Sequence, residues 1–344
     1  LPANTPVETT IIDLAEEDKV CKETGEPLVK IGEEITKKLA YRPGSYFVKE
    51  IIRIKYASPK NAEEPTVHVA PLPESLLSRC QADESLLADI LVKKFADHLP
   101  LYRQSEILSR QNIFISRQTM AEWVTRAGDA LKPLYEALKN VIKRSDNLFI
   151  DEVPIDLLSP GKGKTQIAYM WTLVGGKERD PPYRIYHFRK DRRHHHADEI
   201  LKDYTGCLHS DKYGAYEALA NKKQFTWCPC FAHIRRKFIE SETGDLSFRD
   251  LILEKLNTLF HLEQQAWDLN PDERISLIKT KEEPLIDEIT NLVKERLIFG
   301  KPLPKSKLKE ALGYYQSLVP FLKNYLSHPF ARLDNNVAER AIRP

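Results

Sequence analysis

The sequence predicts a mixed α/β domain that carries a helical insertion and is preceded by a small β module and a helical segment. Three observations predict it. From Leu148 the apolar period changes from helical to alternating, in NLFIDEVPIDLL, QIAYMWTLVGG and YRIYHFRKD. Helix-like and strand-like text then alternate, in HHHADEILKDY, GCLHSDKYGAY and QFTWCPCF, as a sheet with crossover helices requires. Between about 241 and 330 the period is helical almost throughout, as in LILEKLNTLFHLEQQAWDL and LIDEITNLVKERL.

In chain order, residues 1–20 read as a polar leader rich in Thr, Glu and Pro. Residues 21–62 read as a β module, because YFVKEIIRIKYA alternates between the turn signals PGS and SPKN. Residues 63–82 contain the Pro-rich EEPTVHVAPLP and read as a linker, since proline cannot donate to a ladder. Residues 83–147 are helical: DESLLADILVKKFADH, then LYRQSEILSRQ, a short NIFI connection, and SRQTMAEWVTRAG with Ser116 as N-cap. A further helix, ALKPLYEALKNVIKRS, follows. Two short helices joined in this way fit a helix-turn-helix, whose second helix would offer Arg117, Gln118 and Thr119 to DNA; a plain helical bundle fits as well. Residues 148–344 form the α/β domain.

Composition narrows the class. With 344 residues and 42% apolar content, two or three domains can each bury a core. No apolar run approaches the roughly 20 residues needed to span a bilayer, and LPANTPVETT lacks the pattern of a signal peptide, so cytosolic residence is expected. Five scattered cysteines argue for reduced thiols. Net charge is only +2, yet RIYHFRKDRR, HIRRKF and KPLPKSKLK concentrate cations locally.

SPGKGKT invites a phosphate-loop reading, but Leu158 stands where the first glycine should be and the segment lies between strands, so it reads as a hairpin turn. Cys207, His209, Cys228, Cys230 and His233 are zinc-type residues without a C-x₂-C knuckle, and packed thiols are the expected outcome. His194 to His196 read as the start of a helix.

The carboxylates are more informative. Asp151 ends an apolar strand and Asp211 follows CLHS on the fourth. In a sheet of order 3-2-1-4 those strands are neighbours, and two adjacent acids call for a divalent cation. A third acid would complete an oxygen-only site of the two-metal kind. Glu339 is the candidate, although the spacing of Asn336 and Glu339 also fits a capping box. Alternation puts Glu152 on the opposite face, as a supporting or surface acid.

FIDEVPIDLL, IAYMWTLVGG, HSDKYGAY, FAHIRRKF and DNNVAERAIRP, together with KFADHLPLYRQSEILSRQNIFISRQTMAEWV upstream, resemble the transposases of the insertion sequence 66 family, a bacterial branch of the DDE superfamily. The resemblance implies a ribonuclease H-like core in which Asp151, Asp211 and Glu339 are the catalytic acids and hold two Mg²⁺ or Mn²⁺ ions. It implies hydrolysis at transposon ends followed by strand transfer into target DNA. Lys212, Arg235, Arg236, Arg340 and Arg343 would contact phosphates. Partners implied are DNA, further copies of the chain in a synaptic complex, and accessory proteins of the same element, with no membrane and a bacterial cytoplasmic, nucleoid-associated location. Two departures stand out. The family's zinc module has paired cysteines, whereas VCKETGEP keeps only Cys21, so zinc is not expected there. Family members continue beyond IRP, so a truncated C-terminus is expected. A decayed DNA-binding derivative is the rival reading, and a structural protein built around the helical insertion is a second.

Overall fold

A computed structural model describes residues 44–49, 51, 55–57, 67–69, 74–159, 161, 163–176, 182–222 and 225–342. The leader, Cys21 and most of the β module lie outside these. Two compact units are present, 1–73 and 74–344. In the first, β1 (Lys55–Ala57) pairs antiparallel with β2 (Val67–Val69). The linker predicted over 63–82 is therefore corrected at both ends. The alternating VHV forms a strand, with prolines only outside it, and at the other end Leu77 and Ala82 are buried in the second unit.

The second unit opens with α1 (Glu84–Phe95), capped by Asp83, and α2 (Leu101–Ser109). Both pack on α3 (Arg117–Ile142), whose cap is Ser116: its Oγ accepts from the Thr119 N–H at 3.0 Å. The sequence suggested two helices here, but α3 runs unbroken through Pro133. Proline costs one intrahelical hydrogen bond, and continuous packing offsets it. Met120, Trp123 and Ala127 are buried in the first half, while Tyr135, Leu138 and Ile142 join the core beneath the sheet. One helix thus serves both the helical segment and the α/β domain, which explains why the expected boundary near 147 is not a break between compact units.

The sheet contains β3 (Asn147–Leu158), β4 (Thr165–Gly176), β5 (Tyr183–Arg189), β6 (Cys207–Ser210) and β7 (Thr226–Pro229) in the order β5-β4-β3-β6-β7. The first three are antiparallel, and β6 and β7 run parallel to β3. The order 3-2-1-4 deduced for the first four strands is the one observed. SPGKGKT falls in the β3–β4 hairpin turn. α4 (His194–Leu201) links β5 to β6, and α5 (Gly214–Asn221) links β6 to β7. α6 (Phe231–Ile239) leaves β7 directly.

The insertion comprises α7 (Leu246–Trp267), α8 (Pro271–Leu277), a π-helical turn (Ile278–Glu282), α9 (Glu283–Phe299), α10 (Lys307–Leu318) and a 3-10 turn (Asn324–Ser327). It shares one apolar core with the sheet, because α7 and α10 pack on α6 and the 3-10 turn packs on β7. The chain then returns as α11 (Asn336–Ile342), laid across β3 and β4 through Ala338 against Phe149 and Val174.

Gly206 immediately precedes β6, where backbone approaches backbone. A Cβ there would lie 2.6 Å from the Asp146 carbonyl oxygen and 2.9 Å from that of Ser145. Gly206→Ala is therefore expected to destabilise the second unit by about 1–3 kcal/mol, as overpacking does, measured as a lower urea midpoint at unchanged m-value.

Candidate active site

Parallel pairing brings the first two acids together. Phe149 is in register with His209, so Asp151 and Asp211 each stand two residues beyond the last registered pair, Asp151 within β3 where its pairing with β6 stops and Asp211 just after the end of β6. Asp211 Oδ1 accepts from the Tyr213 N–H at 3.2 Å, which ties its side chain to the turn that leads into α5. The third acid arrives from far along the chain. Asn335, fully buried, donates its side-chain amide to the Ile150 carbonyl at 2.8 Å and its backbone N–H to Cys230 Sγ at 3.2 Å. The Phe231 N–H donates to Leu333 O at 3.0 Å. These bonds fix the start of α11 against β3 and α6, and Glu339 is presented one helical turn later.

The carboxylates are close enough to oppose one another's ionisation. Asp151 is pushed up to about 7, by burial first and then by the charges of Glu152 and Asp211, with a smaller push from Glu339. Burial also raises Asp211; His233 and Arg192 oppose this and Glu339 adds to it. Glu339 is half-buried, and its Oε1 is enclosed without a hydrogen-bond partner. The capping-box reading fails here. The Asn335 N–H is taken by Cys230 Sγ and the Asn336 N–H by Asp334 Oδ1 at 3.0 Å, so no cap donor is left for Glu339.

Glu152 does face the other side of the sheet, with Leu148, Ile150 and Trp171, but it is buried rather than on the surface. It accepts from Tyr216 Oη and from Arg192 Nε, both at 2.7 Å. Burial and the Asp211 charge raise it, while these two bonds pull it down. Arg192 stacks on Tyr213 and reaches within 3.8 Å of Asp211, so one guanidinium joins both acids. Arg192 and His233 are the residues that sequence reasoning passed over. Arg192 sat in a basic run read only as charge, and His233, whose Nε2 lies 3.9 Å from Glu339 Oε1, was weighed only as a zinc-type residue.

The other predicted residues divide. Lys212 reaches Ser317 on α10, Arg236 and Arg340 are exposed, and Arg235 Nε donates to Asn257 on α7 at 2.7 Å. Arg343 lies outside the described residues. Arg117 and Gln118 are exposed at the start of α3, whereas Thr119 is half-buried with its hydroxyl bonded to that of Ser116. The five zinc-type residues do not form one set. Cys207 and Cys228 are buried together in the core, His209 stacks on Phe149, and Cys230 and His233 lie by Glu339. Burial pushes the Cys230 thiol up to about 12. The described cysteines are free thiols.

Fold and site together define a mixed α/β protein that gathers acids where the pairing of its central parallel strands stops. The model of a family described as Transposase IS66 family matches residues 79–344, and the chain belongs to that family. Among relatives, it is 32% identical over 331 residues to the uncharacterized protein y4qI of Sinorhizobium fredii (strain NBRC 101917 / NGR234), covering 92% of this chain and 60% of that one. It is 30% identical to the uncharacterized protein y4jD of the same organism, over 100% of this chain and 68% of that one. The chain thus spans about three fifths to two thirds of these relatives. No helix among the described residues is long and apolar enough to cross a membrane.

Because Asp151 binds its proton more tightly when folded, the folded state carries a proton that the unfolded chain has lost between about pH 4 and pH 7. Stability of the metal-free protein is expected to fall as pH rises through that window, by on the order of 4 kcal/mol at most. Chemical denaturation at several pH values checks this, and Asp151→Asn should flatten the profile.

Proposed function

We propose that this chain contains the catalytic region of a DNA transposase, a ribonuclease H-like core that cleaves phosphodiesters at transposon ends and joins the freed 3′-hydroxyl to target DNA. The observation that carries the reading is that Asp151, Asp211 and Glu339, from two adjacent strands and a helix separated from them by the whole insertion, lie near enough for the charges of Asp211 and Glu339 to raise Asp151. Their chemistry fits a divalent cation. All three are oxygen donors, burial first and then neighbouring acids raise Asp151 and Asp211, and Glu339 Oε1 is enclosed without a hydrogen-bond partner.

Asp151, Asp211 and Glu339 would hold a pair of Mg²⁺ or Mn²⁺ ions. When bound, such ions lower the pKa of an attacking water or hydroxyl and stabilise the leaving oxygen. Arg192 keeps Glu152 and Asp211 from repelling each other outright, and so keeps Asp211 aimed at the cleft. Lys212, Arg236 and Arg340 supply cations around it for the phosphate backbone, which position DNA without reading sequence. At the start of α3, Arg117 and Gln118 are free of the core and available to DNA, as a helix-turn-helix requires. Recognition of ends, synapsis by further copies of the chain and accessory partners belong to the same proposal.

The test is nicking and strand transfer on DNA bearing the element's own ends, with Mg²⁺. Asp151→Asn, Asp211→Asn and Glu339→Gln are each expected to lower the rate at least a hundredfold while leaving DNA binding intact. Unchanged cleavage in all three would overturn the proposal, and binding without cleavage by the unaltered chain would make it a DNA-binding derivative. Arg117→Ala should instead weaken DNA binding and lower its salt slope by about 1 if that side chain meets a phosphate.

A further inference from the structure

Cys230, His233 and Glu339 place a thiol sulfur, an imidazole nitrogen and a carboxylate oxygen all within 4.8 Å of one another. The thiol comes from the N-cap of α6, the imidazole from its first turn, and the carboxylate from α11. Two of the three groups lack other commitments. Glu339 Oε1 is enclosed and unpartnered, and so is Nδ1 of His233. Cys230 Sγ accepts the Asn335 N–H at 3.2 Å and sits at the amino end of α6, an environment that stabilises a thiolate once a cation removes its proton.

We propose that these residues form a second metal site, selective for a soft or borderline divalent cation such as Zn²⁺, which takes Glu339 away from the acidic cleft. Sulfur, nitrogen and one carboxylate oxygen match the ligand preference of zinc and not that of magnesium, which favours oxygen throughout. Three protein ligands and an open position are a common zinc arrangement. In tetrahedral zinc sites neighbouring ligand atoms stand about 3.5 Å apart. His233 Nε2 and Glu339 Oε1 are already 3.9 Å apart, so closure on the ion needs small side-chain movements. One carboxylate cannot serve both metals in full, so zinc bound here competes with the ions that Asp151 and Asp211 would share with Glu339. Soft-metal binding itself stands on Cys230, His233 and Glu339 alone, whereas competition rests on the function proposed above.

Cobalt(II) titration of the metal-free chain separates the two. Tetrahedral visible bands and a thiolate-to-cobalt charge-transfer band are expected, and both should bleach on addition of one equivalent of Zn²⁺. Cys230→Ser keeps an acceptor for the Asn335 N–H and should abolish the charge-transfer component due to this thiol. His233→Ala and Glu339→Gln should each weaken cobalt affinity at least tenfold. A spectrum unchanged by Cys230→Ser, or an affinity unchanged by Glu339→Gln, overturns the site. In the Mg²⁺-dependent cleavage assay, low Zn²⁺ should inhibit the unaltered chain, and Cys230→Ser should tolerate at least tenfold more. Equal inhibition of both overturns the competition. An unaltered chain that binds cobalt as described but never cleaves DNA leaves the site standing and defeats the function.

Discussion

Asn335 is the point at which chain segments far apart in sequence are locked together. Its side-chain amide holds the Ile150 carbonyl, one residue before Asp151, and its backbone N–H holds Cys230 at the start of α6. Without that junction nothing local would aim α11, because an isolated helix of seven residues is too short to be stable in water. The stretch just before it is gripped from the insertion. Arg274, wholly buried on α8, donates to both oxygens of Glu263 and to the Ala331 carbonyl, and the guanidinium groups of Arg274 and Arg332 both lie over the Trp267 ring. The insertion is therefore more than a spacer between the second and third acids. It is the frame from which the third acid is hung.

That frame works against a repulsion. Carboxylates in a partly dry pocket resist ionising together, and burial and like charge shift them in the same direction. The structure spreads the problem over both sheet faces. On one side Arg192 and Tyr216 satisfy Glu152, and the same guanidinium reaches toward Asp211. On the other, Asp211 draws on a backbone N–H and on His233. Asp151 has less help. Its Oδ1 accepts the N–H of the next residue, and burial with the neighbouring acids pushes it up to about 7. Raised carboxylates gathered in this way oppose stability at neutral pH, and they are what the proposed cation site rests on.

Much of this was legible in the sequence, because it rests on periodicity. Alternation along β3 separates Asp151 from Glu152, and the hairpins give β5-β4-β3, with the fourth strand added on the β3 edge. The helical period marks the insertion correctly. What the sequence hid depends on tertiary contact. Pro133 marks a break by local rules, yet α3 passes through it because both halves have faces to bury. VHV sits among prolines that read as linker, and its strand exists only by pairing with residues ten or more positions earlier. Arg192 and His233 gain meaning from partners 40 and 106 residues distant, which no spacing rule reaches.

Glu339 shows how tertiary contact decides between two local readings. Its spacing from the helix start satisfies a capping box, and an isolated peptide would be free to form one. In the folded chain each donor that such a box needs is already satisfied, one by a thiol and the other by Asp334. Removing those donors costs α11 a reciprocal cap and leaves a buried carboxylate oxygen without a hydrogen bond. An unpaired buried acceptor is destabilising by roughly 1–3 kcal/mol and by more when it is charged. The start of α11 is held from outside, by the Asn335 junction, and Glu339 takes no part in capping it.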